Sequence, residues 1–293
     1  MRIDSHVHVT PPDLIAGWEK IAKREPYFKL LSESPVNRFA TAEQVVEAME
    51  ENGFDKAVIF GFSFRDMGLC RYVNDYVIEK TKAYPDRLIG FSTLLPQHPE
   101  AEKELVRTYE SGLRGVGELF PEGQGFALES PGQMKALGRT CASLGIPVML
   151  HVNEPVGHHY AGKTRTSLAQ AVTFAQNFPD LKIILAHWGG GLFFYELMKE
   201  VRQDLARVYY DTAASVFLYG HQVYDVVRAL DLTDKILFGS DFPLLSPQRY
   251  LGDLERSGLS DRDKEAILGG NARRLLSLGT GNRRHRPDRN PVV

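Results

Sequence analysis

Two histidines, His6 and His8, stand two residues apart in a short apolar run, Met1-Arg-Ile-Asp-Ser-His-Val-His-Val9. In an extended strand residues i and i+2 share a face about 7 Å apart. Both imidazoles therefore project to one side, while Ile3, Val7 and Val9 project to the other. Asp4 shares the histidine face deeper in the strand, as a hydrogen-bonding residue that orients its neighbours. Imidazole is a favoured ligand for zinc and similar ions. Later apolar runs stop at the same kinds of side chain: Val148-Met-Leu-His151, Ile184-Leu-Ala-His187 and Leu237-Phe-Gly-Ser-Asp241. A lone histidine is ordinarily a hydrogen-bonded core residue. Four histidines and an aspartate at the ends of four strands would leave costly unpaired polarity without a cation. The pattern predicts a metal site.

The elements that must position these groups follow from the hydrophobic rhythm. Eight short apolar, β-branched runs recur: Arg2–Val9, Lys56–Gly61, Leu88–Thr93, Gly115–Phe120, Ile146–Val152, Lys182–His187, Arg207–Asp211 and Lys235–Asp241. Between most of them lie stretches of helical spacing. Thr41 caps Thr41–Asn52 ahead of Gly53, and Ser130–Leu144 runs into Gly145; Leu192–Leu205, Tyr219–Leu230 and Asp261–Leu278 are similar. Strands apolar throughout and alternating with helices imply a parallel sheet covered by helices. Eight such units predict an α/β fold, a single (β/α)8 TIM barrel with an extended loop after the first strand, better than an open sheet; no GxGxxG follows an early strand. In a barrel, functional residues gather at strand C-termini, where these histidines and Asp241 fall. The loop, residues 10–40, either covers the barrel mouth or is a surface excursion. The domain is expected over residues 1–278, with a solvated tail over 279–293.

At 293 residues, 43% hydrophobic, 25% charged and net charge −2, the composition is that of a globular protein with a full core. A near-neutral balance gives no electrostatic footprint for nucleic acid. Cys70 and Cys141, with no CxxC pattern, read as buried reduced residues. The absence of a signal-peptide pattern and of a membrane-length apolar run leads to the expectation of a soluble cytoplasmic protein without membrane partners.

The HxH of Asp4-Ser-His6-Val-His8, the lone His151 and His187 and the terminal Gly239-Ser-Asp241 resemble the amidohydrolase superfamily. Ala186-His-Trp-Gly-Gly-Gly191, Phe238-Gly-Ser-Asp-Phe-Pro243 and Gly269-Gly-Asn-Ala-Arg-Arg-Leu-Leu276 are similar to the subgroup containing aminocarboxymuconate-semialdehyde decarboxylase and related hydrolases and hydratases. The likeness runs from residue 2 to about 278 and is specific for superfamily and barrel rather than for the reaction. It implies that His6, His8, His151 and Asp241 bind one divalent catalytic metal, commonly zinc, with His187 as a catalytic or second-metal histidine. Similar proteins also suggest a homodimer.

Glu118, in Gly115-Val-Gly-Glu-Leu-Phe-Pro121, sits in an apolar strand where a carboxylate is expensive. Binuclear members of the superfamily place a bridging lysine carbamate or glutamate there, whereas the subgroup is usually mononuclear. The expectation is one metal with Glu118 near it, a second metal remaining open. The polar loop after the fifth strand offers Glu154, His158, Tyr160 and Lys163 for a small-molecule substrate, and Arg249 follows the eighth strand. The leading expectation is hydrolysis: water on the metal attacks an amide, lactone or ester, with Asp241 moving the proton and His187 orienting the water or stabilising charge. The alternative is a nonoxidative decarboxylase or hydratase acting on a carboxylated substrate, which needs a cation such as Lys163, Arg165 or Arg249. A non-catalytic barrel with a closed structural metal is the third reading.

Overall fold

The computed structural model describes residues 1–279; the tail expected beyond Leu278 lies, apart from Gly279, outside the described residues. Each of the eight apolar runs forms a strand: β1 (Ile3–His8), β2 (Lys56–Phe60), β3 (Leu88–Gly90), β4 (Val116–Leu119), β5 (Val148–Leu150), β6 (Ile183–Leu185), β7 (Val208–Asp211) and β8 (Ile236–Leu237). They pair in parallel as β1-β2-β3 and β4-β5-β6-β7-β8. Two bridges, Ser92 with Val116 and Val7 with Phe242, join the arcs into a ring. Ser5 N donates to Phe238 O at 2.7 Å and His8 N to Phe242 O at 2.8 Å across the second seam. The sheet is thus the closed (β/α)8 barrel that the strand rhythm implies.

Alternation along the strands divides the core. Phe60, Ile89, Met149, Ile184 and Leu237 join Ile3 in a compact cluster, the residues turned toward the barrel axis. Ile59, Val148, Leu150, Ile183 and Leu185 belong to the larger cluster that includes the helix faces. β1 departs from simple alternation. Its register against β2 runs from Asp4–Ala57 to Val7–Ile59, three steps on one strand against two on the other. This one-residue bulge places Ile3 with the inner cluster, not opposite the histidines as the regular period predicts, and re-aims His6 and His8. Asp4 consequently turns away to Ser240, whose N and Oγ lie 3.0 and 2.5 Å from its two oxygens. A second bulge interrupts β4 against β5 between Val116 and Leu119, at Glu118. Gly117 there has φ +128°, and a Cβ would lie 2.4 Å from Met149 O, so glycine is required.

The helix over Ala42–Asn52 begins with a reciprocal capping box between Thr41 and Gln44 and ends at left-handed Gly53, a start worth about 1 kcal/mol. Pro131–Leu144 likewise ends at left-handed Gly145. The helix expected over Leu192–Leu205 is replaced by turns over His187–Leu197, with Trp188 to Gly191 at positive φ, and a short helix Lys199–Asp204. The reason is the glycine run: a Cβ on Gly190 would lie 2.3 Å from Asn153 O, so the chain after β6 presses against the chain after β5. The helix expected over Asp261–Leu278 divides into Asp261–Glu265, a π turn Ala266–Gly270 and Asn271–Leu275. Gly269 abuts the Met1 carbonyl at the start of β1.

Residues 10–40 fold into short helices Pro12–Ala16, Trp18–Ala22 and Pro26–Ser32. Buried Glu25 pins them by accepting from the backbone N–H of Arg65 at 3.1 Å and Asp66 at 2.8 Å. Tyr72 adds a second tie, donating to Asp13 at 2.6 Å. Both cysteines are free and buried, and burial pushes the Cys70 thiol up to about 12. No described helix is long and apolar enough to cross a membrane.

Candidate metal centre

At the C-terminal rim the strand ends converge on one carboxylate. Glu118 Oε2 lies 3.6 Å from both His6 Nε2 and His8 Nε2. Those two nitrogens are 3.3 Å apart, and Asp241 Oδ1 is 3.6 Å from the first and 3.4 Å from the second. The three donors of His6, His8 and Asp241, 3.3–3.6 Å apart, match one face of a tetrahedral shell, because bonds of about 2.0–2.2 Å place neighbouring ligand atoms roughly 3.3–3.6 Å apart. The other oxygen, Glu118 Oε1, faces His151 Nδ1 at 2.9 Å and His187 Nε2 at 3.2 Å. His6, His8 and Asp241 form one group of ligand atoms within 4.8 Å of one another; His6, Glu118 and His187 form another. His151, expected from the resemblance to join His6, His8 and Asp241, belongs to neither group and turns to the Oε1 side of Glu118.

Hydrogen bonds on the outer side fix which ring nitrogen looks inward. His6 Nδ1 meets the Asp211 carboxylate at 2.9 Å. His187 Nδ1 meets Ala213 O at 3.1 Å, and His151 Nε2 meets Gly162 O at 2.9 Å. A carbonyl oxygen only accepts, as does an ionised carboxylate, so these nitrogens carry the protons and the lone pairs point at Glu118. Phe120 stacks on the His151 ring at 3.7 Å, while Phe60 meets His6 and His8 edge-on. Buried acceptors facing one another without donors demand positive charge.

The electrostatics express that demand. Burial opposes a charge on His6, yet Asp211 and Glu118 hold its pKa well above the usual imidazole value. Burial likewise opposes the charge of His187, but Glu118 and then Asp241 raise it to about 9. Burial works against ionised Glu118, and His6 with His151 and His187 overcome it, holding the carboxyl well below the usual range. Burial also works against Asp241, which hydrogen bonding from His8 and the charges of His6 and His187 pull down to about 2. His151 differs: burial lowers it, with only partial compensation by Glu118. The same pull that favours protons here favours a divalent cation, and an imidazole–carboxylate set without thiolate suits one.

A cavity of about 630 Å³ opens over this centre, floored by His8, Glu118, His151, His187 and Asp241. Phe28, Phe39, Phe62, Phe120, Tyr160 and Phe217 form much of its wall. Residues 10–40 contribute Leu31, Val36 and Arg38 as well as Phe28 and Phe39, so the segment walls the mouth. Of the residues offered for substrate, His158 and Tyr160 line the cavity. Glu154 instead accepts from Tyr160 at 3.1 Å and Lys163 at 3.3 Å within its own loop. Lys163 is also bonded to Val156 O. Arg165 pairs with Glu122, and Arg249 lies over the Phe217 ring. Among the described residues Arg38 is the only arginine or lysine lining the cavity. Sequence reasoning missed it, although its place in an unassigned loop between β1 and its helix was the available signal. Asp211 was missed as well, read only as the end of a strand.

A closed parallel barrel with imidazoles and carboxylates gathered at its C-terminal rim defines a metal-binding barrel enzyme. The profile of the amidohydrolase family matches residues 3–278, and the chain belongs to that family. It is 24% identical over 287 residues to a gamma-resorcylate decarboxylase of Polaromonas sp., covering 80% of this chain and 86% of the relative. It is 26% identical over 256 residues to a 2-amino-3-carboxymuconate-6-semialdehyde decarboxylase of Dictyostelium discoideum, covering 75% and 70%. Its fold is similar to a 5-carboxyvanillate decarboxylase of Novosphingobium aromaticivorans, solved with manganese and a nitrobenzoic acid, at TM-score 0.76, 17% identity and coverage of 95% and 96%. These relatives correct the expectation of hydrolysis. Relatives named for the loss of a carboxyl group match most of the chain, so membership of the family alone does not select water as the attacking group.

Proposed function

We propose that this chain is a metal-dependent nonoxidative decarboxylase of a small aromatic or unsaturated carboxylic acid. The observation that carries the reading is the aromatic-walled cavity standing directly over the donor cluster, with one guanidinium in its wall. Its volume falls in the range of ligand pockets, roughly 300–1,000 Å³, and flat aromatic walls suit a flat ring. The decarboxylase names of the curated relatives support the same reading.

His6, His8 and Asp241 would hold the ion, with Glu118 beside it; Glu118 with His6 and His187 offers a place for a second. Zinc and manganese both fit this donor set, and manganese is bound in the similar carboxyvanillate decarboxylase. When bound, the ion draws negative charge out of substrate oxygens and so stabilises an electron-rich ring as its protonation state changes. Arg38 binds an anionic substituent, and the phenylalanine walls exclude water and hold the ring in place. Asp241, ionised at rest, takes a proton from an acidic group of the substrate on Oδ2, the oxygen other than the one facing His6 and His8, and delivers it to the ring carbon bearing the carboxylate. The carbon–carbon bond then breaks, its electron pair restores the ring, and carbon dioxide leaves. His187, its Nδ1 proton fixed on Ala213 O, presents Nε2 to the cavity floor and steadies the charge on Glu118.

The test incubates metal-loaded protein with hydroxybenzoic, carboxyvanillic and aminocarboxymuconic acids labelled in the carboxyl group. Labelled carbon dioxide, with one deuterium entering the product carbon in deuterated water, is the expected result. Release of neither from any acid of these classes overturns the reading.

A further inference from the structure

Asp211, at the end of β7, is fully buried and touches both halves of the centre. Its Oδ2 lies 2.9 Å from His6 Nδ1. Its Oδ1 accepts from the backbone N–H of His187 at 2.9 Å and of Ala213 at 3.0 Å. Ala213 in turn offers its carbonyl to His187 Nδ1 at 3.1 Å. His187 and Trp188 stand at φ 55° and 59°, a left-handed turn that non-glycine residues seldom adopt without local support.

We propose that Asp211 is the positioning residue of the metal centre: through one carboxylate it selects the His6 tautomer that turns the Nε2 lone pair inward and anchors the turn that carries His187. The proposal rests on His6 being a ligand. It follows from counting donors and acceptors. Oδ1 is taken by two backbone N–H donors, which leaves Oδ2 to accept the Nδ1 proton of His6; an ionised carboxylate supplies both acceptors. Asparagine has one. Two backbone N–H groups converge on Oδ1, so the amide oxygen must stay there and the amide NH2 must face His6 Nδ1. His6 then accepts at Nδ1 and carries its proton on Nε2, the atom facing His8, Glu118 and Asp241. A protonated Nε2 cannot ligate. Alanine, by contrast, leaves Nδ1 free to keep its proton.

This gives an order that a purely structural role reverses. Manganese or zinc affinity, measured by titration calorimetry and elemental analysis, is expected to fall in Asp211→Ala. It should fall further, roughly 10–100-fold from the parent, in Asp211→Asn, the closer mimic in shape. In the His6→Ala background, Asp211→Asn should add no further loss. A milder effect for asparagine than for alanine, or additive losses with His6→Ala, overturns the proposal. Unchanged affinity in His6→Ala itself overturns the metal reading and this inference with it. Should Asp211→Ala not fold, the Asn and His6 arms decide. In the parent protein, 15N-histidine spectra of the zinc form should show a low-field, exchange-protected Nδ1 proton on His6; its absence is equally fatal.

Discussion

On the proposed reading Asp241 carries two duties, facing the ion and moving a proton, and asparagine removes both. Its carboxylate faces His6 and His8 and borders the cavity floor. Asparagine keeps the volume and loses both the charge and the proton site. Turnover of the acid substrate in Asp241→Asn should fall by about 10²–10⁴-fold, with the circular dichroism spectrum unchanged; near-parental rates would remove Asp241 from the chemistry. On the same reading Arg38 acts on binding instead. Its guanidinium reaches only the local carbonyls of Pro35 and Asn37 among the described residues, which leaves donors for an anion. A lost charge-assisted hydrogen bond costs about 1.5–3 kcal/mol. Arg38→Ala should therefore raise KM by roughly tenfold or more with kcat little changed, and steady-state kinetics on anionic and neutral substrates decides it.

At the scale of elements, the loop after β5 depends on a tie outside the centre. Glu122, in the turn after β4, accepts from Arg165 N at 2.6 Å and Arg165 Nε at 2.9 Å. Burial works against its charge, but these bonds to Arg165 hold its pKa below the ordinary 4.5. A depressed carboxylate contributes stability above its unfolded pKa and loses it as pH falls through the folded value. The melting-temperature difference between parent and Glu122→Gln should thus be present at neutral pH and vanish in acid. It should be small, about 1 kcal/mol at most, because the Arg165 side chain is almost fully exposed. A difference that persists below the carboxylate range would assign the tie to shape rather than charge. The strand bulges are element-scale devices of another kind, since each shifts a donor by one position on the face it would otherwise occupy.

For the whole molecule, the donor cluster opposes barrel closure unless its inward lone pairs are compensated. Ligand binding to the folded state alone stabilises by RT ln(1 + [L]/Kd), about 2.7 kcal/mol at 100 Kd. Chelation should lower the melting temperature by several degrees, and manganese or zinc should restore it while magnesium restores less. Equal melting with and without chelator, in protein proved to contain metal by elemental analysis, would contradict this coupling.

The sequence by itself determined the eight strands, the caps at Thr41 and Gly145, the barrel and the gathering of His6, His8, His151, His187 and Asp241 at one rim. Those features depend on local periodicity and on the fixed geometry of a closed parallel sheet, both of which are written in residue order. Tertiary structure alone decided how the donors are arranged: a bulge at Asp4–Val7 and another at Glu118 bring Glu118 between the histidines and turn His151 to its other oxygen. It also decided that Arg38, rather than Lys163, Arg165 or Arg249, faces the cavity, because those three are taken up by neighbours distant or adjacent in the fold. Asp211 belongs to the same class, since its meaning lies in two hydrogen bonds to residues 205 and 24 positions away. Register shifts and long-range acceptors leave no periodic trace in a sequence, so only the folded chain reveals them.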